Sequence, residues 1–162
     1  MSSAVLRRTG LAAGRLEFEV TESMLISHPE EALRELRALK QMGVHISLDD
    51  FGTGYSNLSY LSRFPFDRIK IDKSFVRALG TDPSALPIVQ AIIAMGRSLN
   101  LVVTAEGVET EQQLRILRDQ QCDEMQGFLL GRPIPSRNVC EYLDPCGLNM
   151  PGERSIECVA RT

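Results

Sequence analysis

Apolar and polar residues alternate one for one in several short runs, and segments with helical periodicity separate those runs. In residues 16–20, Leu16, Phe18 and Val20 share one face, while Glu17 and Glu19 share the other. Residues 44–50 repeat the scheme, with Val44, Ile46 and Leu48 set against His45, Ser47 and Asp49. Residues 68–72 place Ile69 and Ile71 opposite Lys70. Residues 101–105 (L-V-V-T-A) form a short, largely apolar run of the kind buried in parallel sheets, and a last strand falls near Met125. Among the helices, one carries Leu33, Leu36 and Leu39; a capping box of Ser27 and Glu30 opens it, Pro29 sits in its first turn, and Gly43 stops it. A short helix is expected near residues 57–63. Residues 87–99 read as an amphipathic helix with Ile88, Ile92, Met95 and Leu99 in register. Thr110 and Gln113 form a second capping box, ahead of Leu114 and Leu117. Ser136 caps a closing helix to about Leu143, which ends a domain spanning 1–143; residues 144–162 read as a mobile tail.

The pattern predicts an α/β protein of about five β/α units. Successive strands begin roughly 22–33 residues apart, a spacing suited to a TIM-like (β/α) barrel. No G-x-G-x-x-G or Walker-type loop supports an open, doubly wound sheet instead. Eight strands close such a barrel. Five imply a partial barrel whose N-terminal strands are missing.

At 162 residues and 43% apolar content the chain suits one packed domain. A net charge of −3 and a pI near 5.5 exclude a sequence-independent binder of nucleic-acid polymers, which needs a basic face. No apolar run is long enough for a membrane span, and no signal peptide opens the chain. Cys122, Cys140, Cys146 and Cys158 show no C-x-x-C spacing, and there are two histidines. Neither a zinc site nor a disulfide framework is expected, and free thiols in a cytoplasmic protein follow.

Charge enters the picture at the strand ends. Glu19, Asp49 with Asp50, Lys70, Glu106 and Gln126 each fall at or near the end of a predicted strand. Groups repeated at the same end of successive parallel strands converge in space. Four carboxylates, a lysine and an amide point to hard-cation chemistry on an anionic substrate. Each residue alone has a structural alternative. The Asp pair can form an Asx turn and helix cap, Lys70 can be a solvated strand lysine, and Glu106 and Glu109 can favour the helix N-terminus that follows. His28 and His45 are assigned to structure.

The motifs E-V-T-E-S (19–23), D-D-F-G-T-G-Y-S-N-L (49–58), I-K-I-D (69–72), A-E-G-V-E-T (105–110) and Q-G-F (126–128) occur in that order. Together they resemble the EAL-domain family of cyclic di-GMP phosphodiesterases, over residues 16–143. The resemblance implies a modified β/α barrel that hydrolyses cyclic di-GMP to linear pGpG with Mg²⁺ or Mn²⁺. It places Glu19 and Asp49 on a first metal, and Asp49, Asp50 and Glu106 on a second. Lys70 would sit beside the attacking water or phosphate, and Gln126 would orient water or substrate. It makes Glu22 the anchor of the loop at 51–56, which couples the site to dimerisation, and puts Glu109 and Pro133 near substrate. The helix near residues 57–63 would be the dimer surface, giving a homodimer or higher association. The family's Glu-Ala-Leu segment, the arginine after it and an asparagine ligand have no counterpart here, so the first-metal side is incomplete. Very slow or absent turnover by the isolated chain is therefore expected. Two alternatives stay open: a non-catalytic cyclic di-GMP receptor, and a protein–protein module that completes another chain.

Overall fold

The structure, a computed structural model, describes residues 2–52 and 58–138. Helix α1 (Ser2–Thr9) leads into β1 (Glu17–Thr21), and α2 (Glu22–Ser27) and α3 (Pro29–Gln41) connect to β2 (His45–Phe51). Helix α4 (Leu58–Arg63) precedes β3 (Arg68–Ile71), and α5 (Lys73–Ala78) and α6 (Ala85–Ser98) precede β4 (Val102–Glu106). Helix α7 (Glu111–Asp119) leads to β5 (Glu124–Gln126). All five strands are parallel, and their order in the sheet is their order in the chain. A doubly wound sheet reverses its strand order partway; this one winds in a single direction, as a barrel does. The expected partial α/β barrel is therefore what forms.

Strand alternation explains which side is covered. Ile46, Leu48, Ile69, Ile71, Val103 and Ala105 occupy alternate positions and are all 2% exposed or less. They share one core with Leu33 and Leu36 of α3, Val89, Ile92 and Ile93 of α6, and Leu114 and Leu117 of α7. Full burial of a Leu or Ile side chain stabilises by about 1.5–3 kcal/mol, so this helix-covered face is where the sheet gains its apolar stabilisation. The other face keeps the polar residues.

Several local expectations need correction. Ser27 ends α2, and the cap position of α3 falls to His28 rather than to Ser27 as expected. Pro29 takes the first helical position, and His28 stands at the cap with no side-chain bond. Proline's fixed φ and missing N–H suit that position without a cap. Helix α6 starts at Ala85 and buries Ala85, Val89, Ile92, Ile93 and Gly96, whereas Ile88 is exposed. The stripe is rotated because Gly96 lies against the sheet, where a Cβ would overlap the Val103 side chain. Helices α1, α2 and α5 were not expected; Asp72 caps α5 by accepting from the Ser74 N–H at 2.9 Å. Ser136–Asn138 forms a 3₁₀ turn, while the remainder of the expected closing helix and the tail lie outside the described residues. The second capping box forms as read, with both the Thr110 and Gln113 side chains engaged.

Candidate functional site

Parallel registration turns the polar face into two tiers. Glu17 and Glu19 on β1, Arg68 and Lys70 on β3, Thr104 and Glu106 on β4, and Glu124 and Gln126 on β5 are all i, i+2 pairs, so each pair shares a face. In the lower tier, Arg68 on the middle strand donates through Nη1 to Glu17 Oε2 at 2.9 Å and through Nη2 to Glu124 Oε1 at 2.8 Å. Its partners belong to the first and last strands of the sheet. One guanidinium fork thus spans all five strands, which requires the polar face to be concave. Thr104 Oγ1 adds a bond to Glu124 Oε2 at 2.9 Å.

The upper tier, at the C-terminal strand ends, centres on Lys70. Its Nζ lies 2.5 Å from Glu19 Oε1, 2.6 Å from Glu106 Oε1 and 3.4 Å from Asp49 Oδ1. Three other strands, β1, β2 and β4, supply these carboxylates. The lysine side chain is only 3% exposed. Burial works against its charge, but hydrogen bonds to Glu106 and Glu19 and the charges of Glu106 and Asp49 outweigh that, holding its pKa above 10.5. Lys70 is therefore a buried ammonium, charged at neutral pH.

Asp49 and Asp50 are not equivalent neighbours. A regular strand would turn Asp50 toward the helix-covered face, where a carboxylate is costly to bury. Instead the β2–β3 register shifts between Leu48 and Phe51, and Asp50 takes φ 55°. This bulge leaves Asp50 exposed, with its N–H donating to Asp49 Oδ1 at 3.1 Å. Gly52 follows with φ 96°, and a Cβ there would approach the Phe75 ring to 2.9 Å. Gln126 pairs in register with Glu106. The turns beyond them are stitched together, Val108 N–H to the Gln126 carbonyl and Leu129 N–H to the Val108 carbonyl, each at 3.0 Å.

The remaining expected site residues lie further out. Glu22 is buried as the first residue of α2, but residues 53–57 of the loop it was expected to anchor lie outside the described residues. Glu109 pairs with Arg77 at 2.8 Å, and Pro133 is exposed in the segment beyond β5. Cys122 is a free thiol, as expected, and it is buried, which pushes its pKa up to about 11 and makes it unreactive. Sequence reading missed the Arg68 tier altogether. Its signal was present two residues before Glu19, Lys70, Glu106 and Gln126, as Glu17, Arg68, Thr104 and Glu124.

The oxygens of Glu19, Asp49, Asp50 and Glu106 are the donors that hard divalent ions prefer. By donor type they fit Mg²⁺ or Mn²⁺. Among the described residues, however, no three His, Cys, Asp or Glu side chains stand as a group that could hold a metal ion. The carboxylates that converge do so on the Lys70 ammonium. No helix among the described residues is long and apolar enough to cross a membrane.

Comparison with known proteins bears on this arrangement. The family model described as EAL domain matches residues 1–133. The cyclic di-GMP phosphodiesterase NbdA of Pseudomonas aeruginosa is 47% identical over 138 residues, covering 85% of this chain and 18% of that protein. A solved structure of the PaMucR phosphodiesterase in complex with c-di-GMP matches with a TM-score of 0.81 at 47% identity, over 85% of this chain and 56% of that one. BlrP1 of Klebsiella pneumoniae, solved as a manganese and cyclic di-GMP complex, matches with a TM-score of 0.73 at 36% identity, over 78% of this chain and 32% of that one. The chain spans about a sixth of the length of the curated relatives it matches.

Proposed function

Because the chain belongs to the EAL-domain family, we propose that it carries the strand ends of a metal-dependent phosphodiesterase that hydrolyses cyclic di-GMP to linear pGpG in bacterial cytoplasmic signalling. One observation carries the reading: a buried lysine ringed by carboxylates from three other strands, at the end of the sheet where barrel enzymes place their chemistry. The relatives named above as phosphodiesterases, and the solved complex with manganese and cyclic di-GMP, support the substrate and the cation class.

In this reading Glu19 and Asp49 hold a first Mg²⁺ or Mn²⁺, and Asp49, Asp50 and Glu106 a second. Bound there, the ions supply Lewis-acid activation of the phosphodiester and of the attacking water. The chain's own residues do the rest. Lys70 donates to the phosphate or the attacking water and stabilises charge as it develops. Gln126, held beside Glu106, orients water or substrate through its amide. The bulge at Asp50 turns a second carboxylate out of the strand, so that two adjacent residues serve one site. Glu22 tethers the loop that begins at Gly52, whose φ of 96° suits glycine, Glu109 and Pro133 border the substrate, and two copies associate through α4.

Chromatographic detection of pGpG from cyclic di-GMP tests the reading. The chain covers 56% of the solved phosphodiesterase it resembles, so we expect slow, metal-dependent turnover, well below that of a complete EAL domain. Glu106→Gln should reduce whatever rate is measured by at least the roughly 10–100-fold caused by losing even an outer partner of a metal site. Turnover unchanged in Glu106→Gln contradicts the assignment. Among the described residues the converging carboxylates close on Lys70 rather than on a ready metal group, which favours a second reading, a receptor that binds cyclic di-GMP without cutting it. Metal-independent binding with no product would favour that receptor.

A further inference from the structure

The carboxylate ring is closed on a cation that belongs to the chain. Hard divalent ions take oxygen ligands at about 2.0–2.6 Å. The Glu19 and Glu106 oxygens that face the centre are already ion-paired with Lys70 Nζ at 2.5 and 2.6 Å, with Asp49 Oδ1 at 3.4 Å. The Arg68 guanidinium, two residues before Lys70, is bonded to Glu17 and Glu124 one tier below. An ammonium and a divalent ion cannot both take the inward oxygens of the same carboxylates. Lysine is suited to giving way, because its charge is compact and its four-carbon stem is flexible.

We propose that Lys70 is the resident cation of the site, holding Glu19, Asp49 and Glu106 together until a divalent ion displaces its ammonium, which then pairs with the anionic phosphodiester. The identity of that anion rests on the phosphodiesterase reading; the exchange itself rests on the ion-pair geometry. Two consequences follow from charge and linkage. Lys70 lowers the affinity of the nucleotide-free protein for metal, because the ion must break two short ion pairs to enter. It also couples the two ligands, since an anion that accepts the displaced ammonium tightens metal binding, and metal tightens anion binding by the same factor.

The test is Mn²⁺ binding by calorimetry on the full chain, with and without saturating pGpG, for the wild type, Lys70→Met and Lys70→Arg. Without nucleotide, Lys70→Met should bind Mn²⁺ about tenfold tighter than wild type or more, within the roughly 5–150-fold range usual for coupled sites. Lys70→Arg, which keeps the charge, should bind no tighter than wild type. Adding pGpG should tighten Mn²⁺ binding to the wild type about fivefold or more and leave Lys70→Met unchanged. In thermal melts the wild type should be insensitive to EDTA, while Lys70→Met melts early in EDTA and is restored by Mn²⁺. Equal or weaker Mn²⁺ binding by Lys70→Met overturns the exchange, as does tighter binding by Lys70→Arg. So does a Lys70→Met protein that stays unfolded at saturating Mn²⁺, because the divalent ion has then failed to replace the ammonium. If neither the wild type nor Lys70→Met binds Mn²⁺ at all, the metallo-phosphodiesterase reading fails with it; if the wild type binds both Mn²⁺ and pGpG but Lys70→Met shows no gain, the exchange alone fails.

Discussion

Arg68 and Lys70 stand two residues apart on the middle strand and face the same side, yet they serve different ends. Arg68 holds two carboxylates from the outermost strands and shapes the sheet. Lys70 gathers three carboxylates at the rim, where chemistry is possible. Replacing Arg68 with Met leaves Glu17 and Glu124 facing each other without a cation. Breaking a buried pair this way costs about 3–5 kcal/mol, and partial solvation of both glutamates brings the expected loss to about 2–4 kcal/mol. An unfolding free energy, measured by urea titration, that falls by less than a tenth of that would count against the tier's structural role. Gly52→Ala should also destabilise, by about 1–3 kcal/mol, because φ 96° is unfavourable for a side chain and the Phe75 ring blocks its Cβ. The upper tier was legible in the sequence because polar residues at strand ends are unusual enough to notice. The lower tier was not, since Glu17, Arg68 and Glu124 read as ordinary members of a polar strand face. Nor does the string D-D-F-G disclose a bulge, which depends on register with a neighbouring strand.

Among the elements, the two expected capping boxes show what local sequence can carry. Thr110 and Gln113 bond reciprocally at the start of α7, at 3.2 Å and 3.0 Å. Ser27 and Glu30 have the same spacing, but Pro29 starts α3 one residue too late for Ser27 to cap it. Thr110→Ala should therefore cost about 1 kcal/mol in thermal or chemical denaturation, as loss of an N-cap does. Asp67, just before β3, ties helix to sheet: it accepts from Lys40 of α3 at 2.7 and 2.8 Å and from the Ile46 N–H of β2 at 2.8 Å. Burial raises its pKa, but these bonds outweigh that and hold it below 3.8. A lowered carboxylate pKa stabilises the fold above the unfolded value, and that contribution disappears as pH falls through the folded value. Stability should therefore fall below about pH 3.8, and Asp67→Asn should flatten that part of the profile. An Asp67→Asn protein with an unchanged acid limb would remove the residue from the account. The rotated stripe of α6 shows the limit of periodicity, which registers Ile88 and Ile92 equally and cannot tell that Gly96 marks the side of closest approach.

At the scale of the whole molecule, strand order did most to identify the architecture, and the sequence already contained it. Five expected strands separated by helices wind one way only if each strand pairs with its predecessor, as all four pairings do. Strands β1 and β5 each pair on one side only among the described residues. Unpaired strand edges invite association. Light scattering after size exclusion should accordingly show a dimer or larger species that grows with concentration, and a monomer at all concentrations would contradict the proposed association. The central claim is that the carboxylates around Lys70 bind a divalent ion and cyclic di-GMP together. Calorimetric titration of the chain with cyclic di-GMP, in Mn²⁺ and again in EDTA, tests it most directly. The account predicts saturable binding in Mn²⁺ that is lost or much weakened in EDTA. Equal binding in both, or none in Mn²⁺, would contradict it.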